Sequence, residues 1–137
     1  MAIMTWNEEY SVGVKEIDKQ HQILFDTINE LFRLFADKKF STTDPDIVFD
    51  KLGDYGEKHF KTEEHFFTLF NYEKKTEHII LHQKYKTKLK ELQTKYWMNR
   101  DEKIFFEIIN FLQDWWIWHV NNVDKEYSQC FKDHGLT

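Results

Sequence analysis

The sequence predicts an all-α fold, an up-down-up-down four-helix bundle with an extended N-terminal arm. Apolar residues recur at intervals of three and four along four segments, as they do on amphipathic helices. The 137 residues include 13 Phe, six Tyr and five Trp but only four Gly and one Pro, which favours long aromatic-packed helices over a loop-rich or all-β fold. Short breaks between the segments make consecutive helices antiparallel. The length suits one domain, so we assign residues 1–137 to a single domain.

The first half of the chain contains the arm and two helices. Residues 1–17 lack sustained helical spacing, and we expect them to lie as an arm over a bundle formed by residues 18–130. The apolar stripe of the first helix comprises Ile17, Leu24, Phe25, Ile28, Leu31, Phe32 and Phe35. A break at residues 41–43 follows, after which Asp44 is suited to cap the second helix and Pro45 to its first turn. The inner face of that helix is predicted to carry Val48, Leu52, Tyr55, His59, Glu63, Phe66 and Phe70.

The second half predicts two more helices and a tail. Asn71 and Tyr72 turn the chain into the third helix, whose inner face carries His78, His82, Tyr85, Leu89, Leu92 and Tyr96. The fourth helix begins near residues 99–101, and its stripe comprises Ile104, Ile108, Leu112, Trp115 and His119. We expect residues 131–137 to form a frayed tail.

Charge and composition exclude several classes of function. The net charge of -5 and the absence of a basic block argue against a nucleic-acid partner. The N-terminus lacks the basic start and apolar stretch of a secretory signal, which favours the cytoplasm. Polar residues interrupt the most apolar region, residues 104–120, so it is expected to be a buried helix and not a membrane span. The single cysteine, Cys130, is interpreted as an ordinary thiol.

Five histidines and two acids recur at helical spacings along the four segments, and they are candidate metal ligands. These are His21, His59, Glu63, His78, His82, His119 and Asp124. In an antiparallel bundle all seven fall at one end, in one layer. Residues four apart share a helical face, so each of the two such pairs can direct two side chains at one centre. His65 and His134 match no such spacing and are interpreted as surface residues.

His119 and Asp124 are five residues apart, which turns the second side chain away from the first on a regular helix. We therefore predict a π-bulge or local unwinding between Trp118 and Asp124. Any one of these signals alone is more often a satisfied core histidine or surface decoration. Together they would leave several imidazoles and carboxylates buried without partners unless a metal satisfies them.

The number of ligands favours two metal ions. Zinc is satisfied by four ligands, whereas seven suit two ions of higher coordination, and imidazole with carboxylate suits iron, although manganese fits the same ligands. Five histidines cannot divide evenly, so one ion keeps a free position for a small ligand. With two redox-active irons that ligand is expected to be dioxygen, and an aromatic wall should exclude water and favour reversible binding over turnover.

The same residues resemble the hemerythrins in their single-domain bacterial form. The resemblance spans nearly the whole chain and is carried by Trp6, VKEIDKQH at 14–21, HFKTE at 59–63, HIILH at 78–82 and HVNNVD at 119–124. It implies two non-heme iron ions (Fe2+/Fe3+) joined by an oxo or hydroxo bridge. It further implies that His78, His82 and His119 hold one iron, that His21 and His59 hold the iron that binds oxygen, and that Glu63 and Asp124 bridge them.

We therefore expect reversible dioxygen binding, for storage or for delivery to oxygen-consuming enzymes, by a monomer that is not itself an enzyme. One alternative is a di-iron oxidoreductase acting on peroxide, nitric oxide or an organic substrate, although the Glu-x-x-His pairs typical of such bundles are absent. A second alternative is an oxygen or redox sensor acting through a separate partner. A third is iron storage or metal buffering.

Overall fold

The computed structural model describes residues 3–37 and 44–137, which form an antiparallel helical bundle. Its four long helices are α1 (Lys15–Ala36), α2 (Pro45–Leu69), α3 (Lys75–Asn99) and α4 (Glu102–Trp118). A π-helical segment (His119–Val123), a 3-10 turn (Asp124–Tyr127) and a short helix α5 (Ser128–Asp133) continue from α4. The described residues contain no strand, so the predicted fold class is confirmed.

The predicted start of α2 is confirmed. Asp44 lies in an extended conformation and its carboxylate accepts a hydrogen bond from the backbone N–H of Asp46, while Pro45 occupies the first turn. Such a cap satisfies one of the N–H groups that a helix start leaves without an intrahelical partner. The predicted break at residues 41–43 lies outside the described residues.

The N-terminal arm packs on the bundle, as expected, and ends earlier than predicted because α1 begins at Lys15. The side chain of Asn29 accepts hydrogen bonds from the N–H groups of Ile3 and Met4 and donates one to the carbonyl of Met4. Trp6 packs on Phe25 with ring centroids 5.9 Å apart. These contacts fasten the arm to α1.

Two expectations at the level of single residues are wrong. Tyr55, expected on the inner face of α2, is 39 % exposed. The tail was expected to be frayed, but Phe131 lies in α5, is fully buried and stacks on Tyr127 with ring centroids 4.3 Å apart. The N–H of Leu136 donates to the carbonyl of Phe131. The tail is held because Phe131 and Tyr127 are four residues apart and bury their rings on one face.

The apolar core consists of two clusters. The larger fills the bundle from Met4 to Val120. The smaller lies at the other end and comprises Val12, Val14, Ile17, Phe67, Tyr72, Tyr127 and Phe131. On α1, His21 lies between Ile17 of the smaller cluster and Leu24 of the larger. On α2, Glu63 lies between Phe60 of the larger cluster and Phe67 of the smaller, so a layer of buried ionisable residues separates the two clusters. Within the described residues, no helix is both long enough and apolar enough to cross a membrane.

Candidate metal centre

The polar layer between the two apolar clusters contains all seven candidate ligands. α1 contributes His21, α2 contributes His59 and Glu63, α3 contributes His78 and His82, and the end of α4 with the segments after it contributes His119 and Asp124. Each is at most 2 % exposed. Their ligand atoms form two groups in which every atom lies within 4.8 Å of the others. The structure therefore brings together every residue that the sequence singled out.

One group contains three imidazoles. The Nε2 atoms of His78 and His119 lie 3.0 and 2.9 Å from Oδ1 of Asp124. The Nε2 atom of His82 lies 3.2 Å from Oε1 of Glu63. Both carboxylates thus face this three-histidine half of the site, defined by His78, His82 and His119.

The other group contains two imidazoles and the same two carboxylates. The Nε2 atom of His21 lies 3.0 Å from Oδ2 of Asp124, and that of His59 lies 3.2 Å from Oε1 of Glu63. Asp124 therefore turns one oxygen toward each half, which is the arrangement of a bridging carboxylate. We call this group the two-histidine half, defined by His21 and His59.

The predicted distortion between Trp118 and Asp124 is confirmed. Residues His119–Val123 are π-helical, and the N–H of Asp124 donates to the carbonyl of His119, five residues earlier. A π-helical turn accommodates one more residue than an α-helical turn. It therefore brings a side chain five residues later back beside the first, and the carboxylate of Asp124 reaches the imidazole of His119.

Buried polar atoms without partners show that the layer is built for cations. Among the described residues, none of the four oxygens of Glu63 and Asp124 has a hydrogen bond of good geometry, although imidazole nitrogens lie within 3.2 Å of three of them. The Nε2 atoms of His21 and His59 face each other at 3.0 Å. Buried carboxylates and opposed imidazole nitrogens are costly unless a metal ion lies among them. Imidazole and carboxylate donors in this number fit two iron ions.

The layer also shifts the pKa values of its members. Burial raises the pKa of Glu63 and of Asp124, but the imidazoles that face them outweigh burial and hold both values below their ordinary range. Burial lowers the pKa of His119. Burial also acts to lower the pKa of His78, but its close contact with Asp124 and the charges of the two carboxylates raise it overall. Both acids are therefore present as carboxylates, the form that binds metals.

Aromatic rings surround the layer. Trp115 lies parallel to the ring of His119, with centroids 4.1 Å apart, and Phe60 stacks on His82 at 3.9 Å. Trp116 is fully buried, lies 5.8 Å from the ring of His59 and donates from Nε1 to the hydroxyl of Tyr85. The predicted aromatic wall is present around these three histidines.

Two polar residues of the site were missed by sequence reasoning. Oε1 of Gln20 lies 2.9 Å from Nδ1 of His59, and Oε2 of Glu64 lies 2.9 Å from Nδ1 of His82. Each contacts a histidine of another helix, which the spacing along its own helix cannot indicate. His65 and His134 are exposed, as expected.

Comparison with known proteins gives one consistent result. Residues 12–130 match the family model described as the hemerythrin HHE cation binding domain. A bacteriohemerythrin of Methylococcus capsulatus is 32% identical over 131 residues, which are 95% of this chain and 98% of that protein. One of Clostridium acetobutylicum is 27% identical, over 91% of this chain and 98% of that protein. A crystal structure of wild-type hemerythrin superimposes with a TM-score of 0.84 at 32% identity, covering 94% of this chain and 98% of that one.

Proposed function

Since the chain belongs to the hemerythrin family, which binds dioxygen at a non-heme di-iron centre, we propose that its seven buried ligands divide between two iron ions. His78, His82 and His119 would hold one ion, and His21 and His59 would hold the other. Glu63 and Asp124 belong to both groups of converging ligand atoms, so both carboxylates would be shared by the two ions. This overlap of the two groups in both carboxylates is the observation that carries the assignment.

The unequal number of imidazoles gives the two halves different roles. With the carboxylates shared, the three-histidine half supplies one more donor than the two-histidine half, so an ion held by His21 and His59 would be the one with room for a further ligand. Two ferrous ions bound there would supply the electrons that dioxygen takes up on binding and returns on release. The protein's part is to hold both ions and to keep water away from that position.

The walls of the two-histidine half suit a small apolar guest. Trp116 faces both of its imidazoles, with ring centroids 6.5 Å from His21 and 5.8 Å from His59. Phe60 stacks against Trp116. Rings fixed in this way exclude bulk water, and water-excluding apolar surroundings control solvent access to a metal site.

The depth of the site supports a gas carrier. None of the seven ligands is more than 2 % exposed, so an organic substrate would have to displace buried side chains to reach the metal positions. Hemerythrins are oxygen-binding proteins and not enzymes, and the oxidoreductase alternative gains no support. The proposed role is storage of dioxygen or its delivery to oxygen-consuming enzymes. We also propose that the protein works as a monomer in the cytoplasm, to be tested by sedimentation and by cell fractionation.

The test of the assignment is metal analysis combined with reversible oxygenation. The apoprotein is loaded with Fe2+ without oxygen, exposed to air and returned to argon while the visible absorption is followed. We expect two irons per chain and a reversible colour change. Replacing His59 with Ala should abolish stable oxygenation while far-ultraviolet circular dichroism remains, because that change removes half of the imidazoles from the two-histidine half.

The matched control is His65→Ala, which removes an exposed imidazole from the same helix and should oxygenate normally. Normal oxygenation of His59→Ala would refute the assignment. Irreversible one-way oxidation of the unmodified protein would refute the carrier role.

A further inference from the structure

Two of the five histidines of the metal centre have a side-chain hydrogen-bond acceptor at Nδ1, the ring nitrogen that faces away from Glu63 and Asp124. The two acceptors differ in charge. His59, in the two-histidine half, faces the neutral amide of Gln20 at 2.9 Å. His82, in the three-histidine half, faces the carboxylate of Glu64 at 2.9 Å. The Nδ1 atoms of His21 and His119 have no such partner among the described residues.

A short relay of hydrogen bonds fixes the orientation of Gln20. The hydroxyl of Thr62 donates to the carbonyl of Lys58 at 2.9 Å, so it can only accept from Gln20. Nε2 of Gln20 therefore points to Thr62, at 3.1 Å, and Oε1 points to His59. An oxygen at that position requires Nδ1 of His59 to carry the proton. The imidazole is left with Nε2 as the free donor atom toward the metal layer.

Glu64 imposes the same orientation on His82 but adds a negative charge. An ionised carboxylate only accepts hydrogen bonds, so Nδ1 of His82 donates and Nε2 faces Glu63. A carboxylate behind a metal-binding histidine makes the imidazole a more basic ligand, more strongly than a neutral acceptor does. Glu64 is the residue directly after Glu63, so one turn of α2 supplies both a ligand and the partner of another ligand.

We propose that Glu64 and Gln20 are positioning residues that make the two halves of the site unequal: Glu64 strengthens cation binding in the three-histidine half, and Gln20 keeps the two-histidine half weaker. This inference rests on the division of ligands proposed above. The difference in cation affinity between the two halves then arises from the charge of the side chains that contact Nδ1 of the ligands, in addition to the number of imidazoles. Glutamine and glutamate have the same shape, so exchanging them changes the charge at nearly constant volume. At position 20 the hydroxyl of Thr62 must then turn from the carbonyl of Lys58 and donate to the new carboxylate.

The first experiment isolates the three-histidine half. His21→Ala disables the other half, and the apoprotein is titrated calorimetrically with Co2+. Adding Glu64→Gln should weaken Co2+ binding up to about tenfold, the low end of the effect of removing the partner of a metal ligand, because glutamine keeps an acceptor and removes only the charge. Glu57→Gln is the control, because it removes an equal charge from the same helix at a side chain paired with Lys86. Equal effects of the two substitutions would overturn the proposal.

The second experiment isolates the two-histidine half with His119→Ala. Adding Gln20→Glu should strengthen Co2+ binding about tenfold, since the new carboxylate accepts from His59. Gln22→Glu adds the same charge at an exposed position of α1 and should change nothing. A gain of affinity cannot arise from damage to the fold. Unchanged or weaker binding in Gln20→Glu would overturn the proposal.

A third measurement uses the full ligand set, so that it does not depend on the alanine backgrounds. In the iron-loaded protein, Glu64→Gln should raise the reduction potential and Gln20→Glu should lower it, because a nearby negative charge favours the oxidised ions. Shifts of the same sign, or none, would overturn the proposal. If the unmodified chain fails to bind two metal ions per chain, the proposed function itself fails. If two ions bind but neither substitution changes the metal affinity or the reduction potential, only this inference is overturned.

Discussion

Replacing Phe131 with Ala tests whether the segment after the metal centre is part of the folded core. The side chain is fully buried in the smaller apolar cluster and stacks on Tyr127. Its ring also lies 5.7 Å from Phe66, 5.9 Å from Phe67 and 5.6 Å from Phe70. These neighbours cannot all move in to fill the cavity that the substitution leaves. The free energy of unfolding should therefore fall by about 3–5 kcal/mol, the range measured for buried Phe→Ala changes.

The assay is urea unfolding of the apoprotein, followed by far-ultraviolet circular dichroism. The midpoint should fall with little change in slope, because a core substitution alters stability and not the surface exposed on unfolding. Phe106→Ala is the control, since the ring of Phe106 is 48 % exposed and its loss should matter much less. A decrease below about 1 kcal/mol for Phe131→Ala, within the range of surface substitutions, would refute the burial of α5.

Three further predictions concern stability. Iron should raise the melting temperature, because binding to the folded state adds stability by mass action and relieves the buried carboxylates; equal melting temperatures with and without iron would contradict this. The apoprotein should lose stability in acid, as shown by its unfolding midpoint at a series of pH values. His119, Glu63 and Asp124 have lowered pKa values in the folded state, so protons bind more readily to the unfolded chain. The free energy of unfolding therefore falls as the pH drops below 6.5 for His119, below 4.5 for Glu63 and below 3.8 for Asp124. His78 has a raised pKa, so the stability that it adds is lost as the pH rises above 6.5. The free energy of unfolding is therefore expected to be greatest near neutral pH. Greatest stability at pH 4 would exclude this account. Asn29→Ala removes three hydrogen bonds to the arm and should cost roughly 1–3 kcal/mol, which an unchanged denaturant midpoint would disprove.

The parts of the site that sequence could predict are those governed by local helical geometry. His59 with Glu63 and His78 with His82 are four residues apart, so their shared face follows from the helix repeat alone. The spacing of five between His119 and Asp124 predicted a distortion, and the structure contains a π-helical turn there.

The parts that sequence could not predict depend on contacts between distant segments. Gln20 and His59 belong to different helices, and their contact depends on the rotation of α1 relative to α2. Glu64 follows a ligand directly and looks like an outward residue of α2, but it reaches His82 on α3. Phe131 follows a distorted segment, where the apolar repeat that marks a helix face is interrupted. Tyr55 is the opposite case: its spacing fits the apolar stripe of α2, but its side chain is exposed.

The metal layer lies between two apolar clusters, so the residues that stabilise the bundle differ from the residues that bind metal. The rings of the larger cluster, on one side, and those around Phe67 and Phe131, on the other, stabilise the bundle by burying apolar surface. The layer between them opposes folding, because its carboxylates have no good hydrogen bond among the described residues. A cation removes that opposition without changing either cluster. Metal loading should therefore stabilise a bundle that already exists, and the apoprotein should keep its helices while its melting temperature falls.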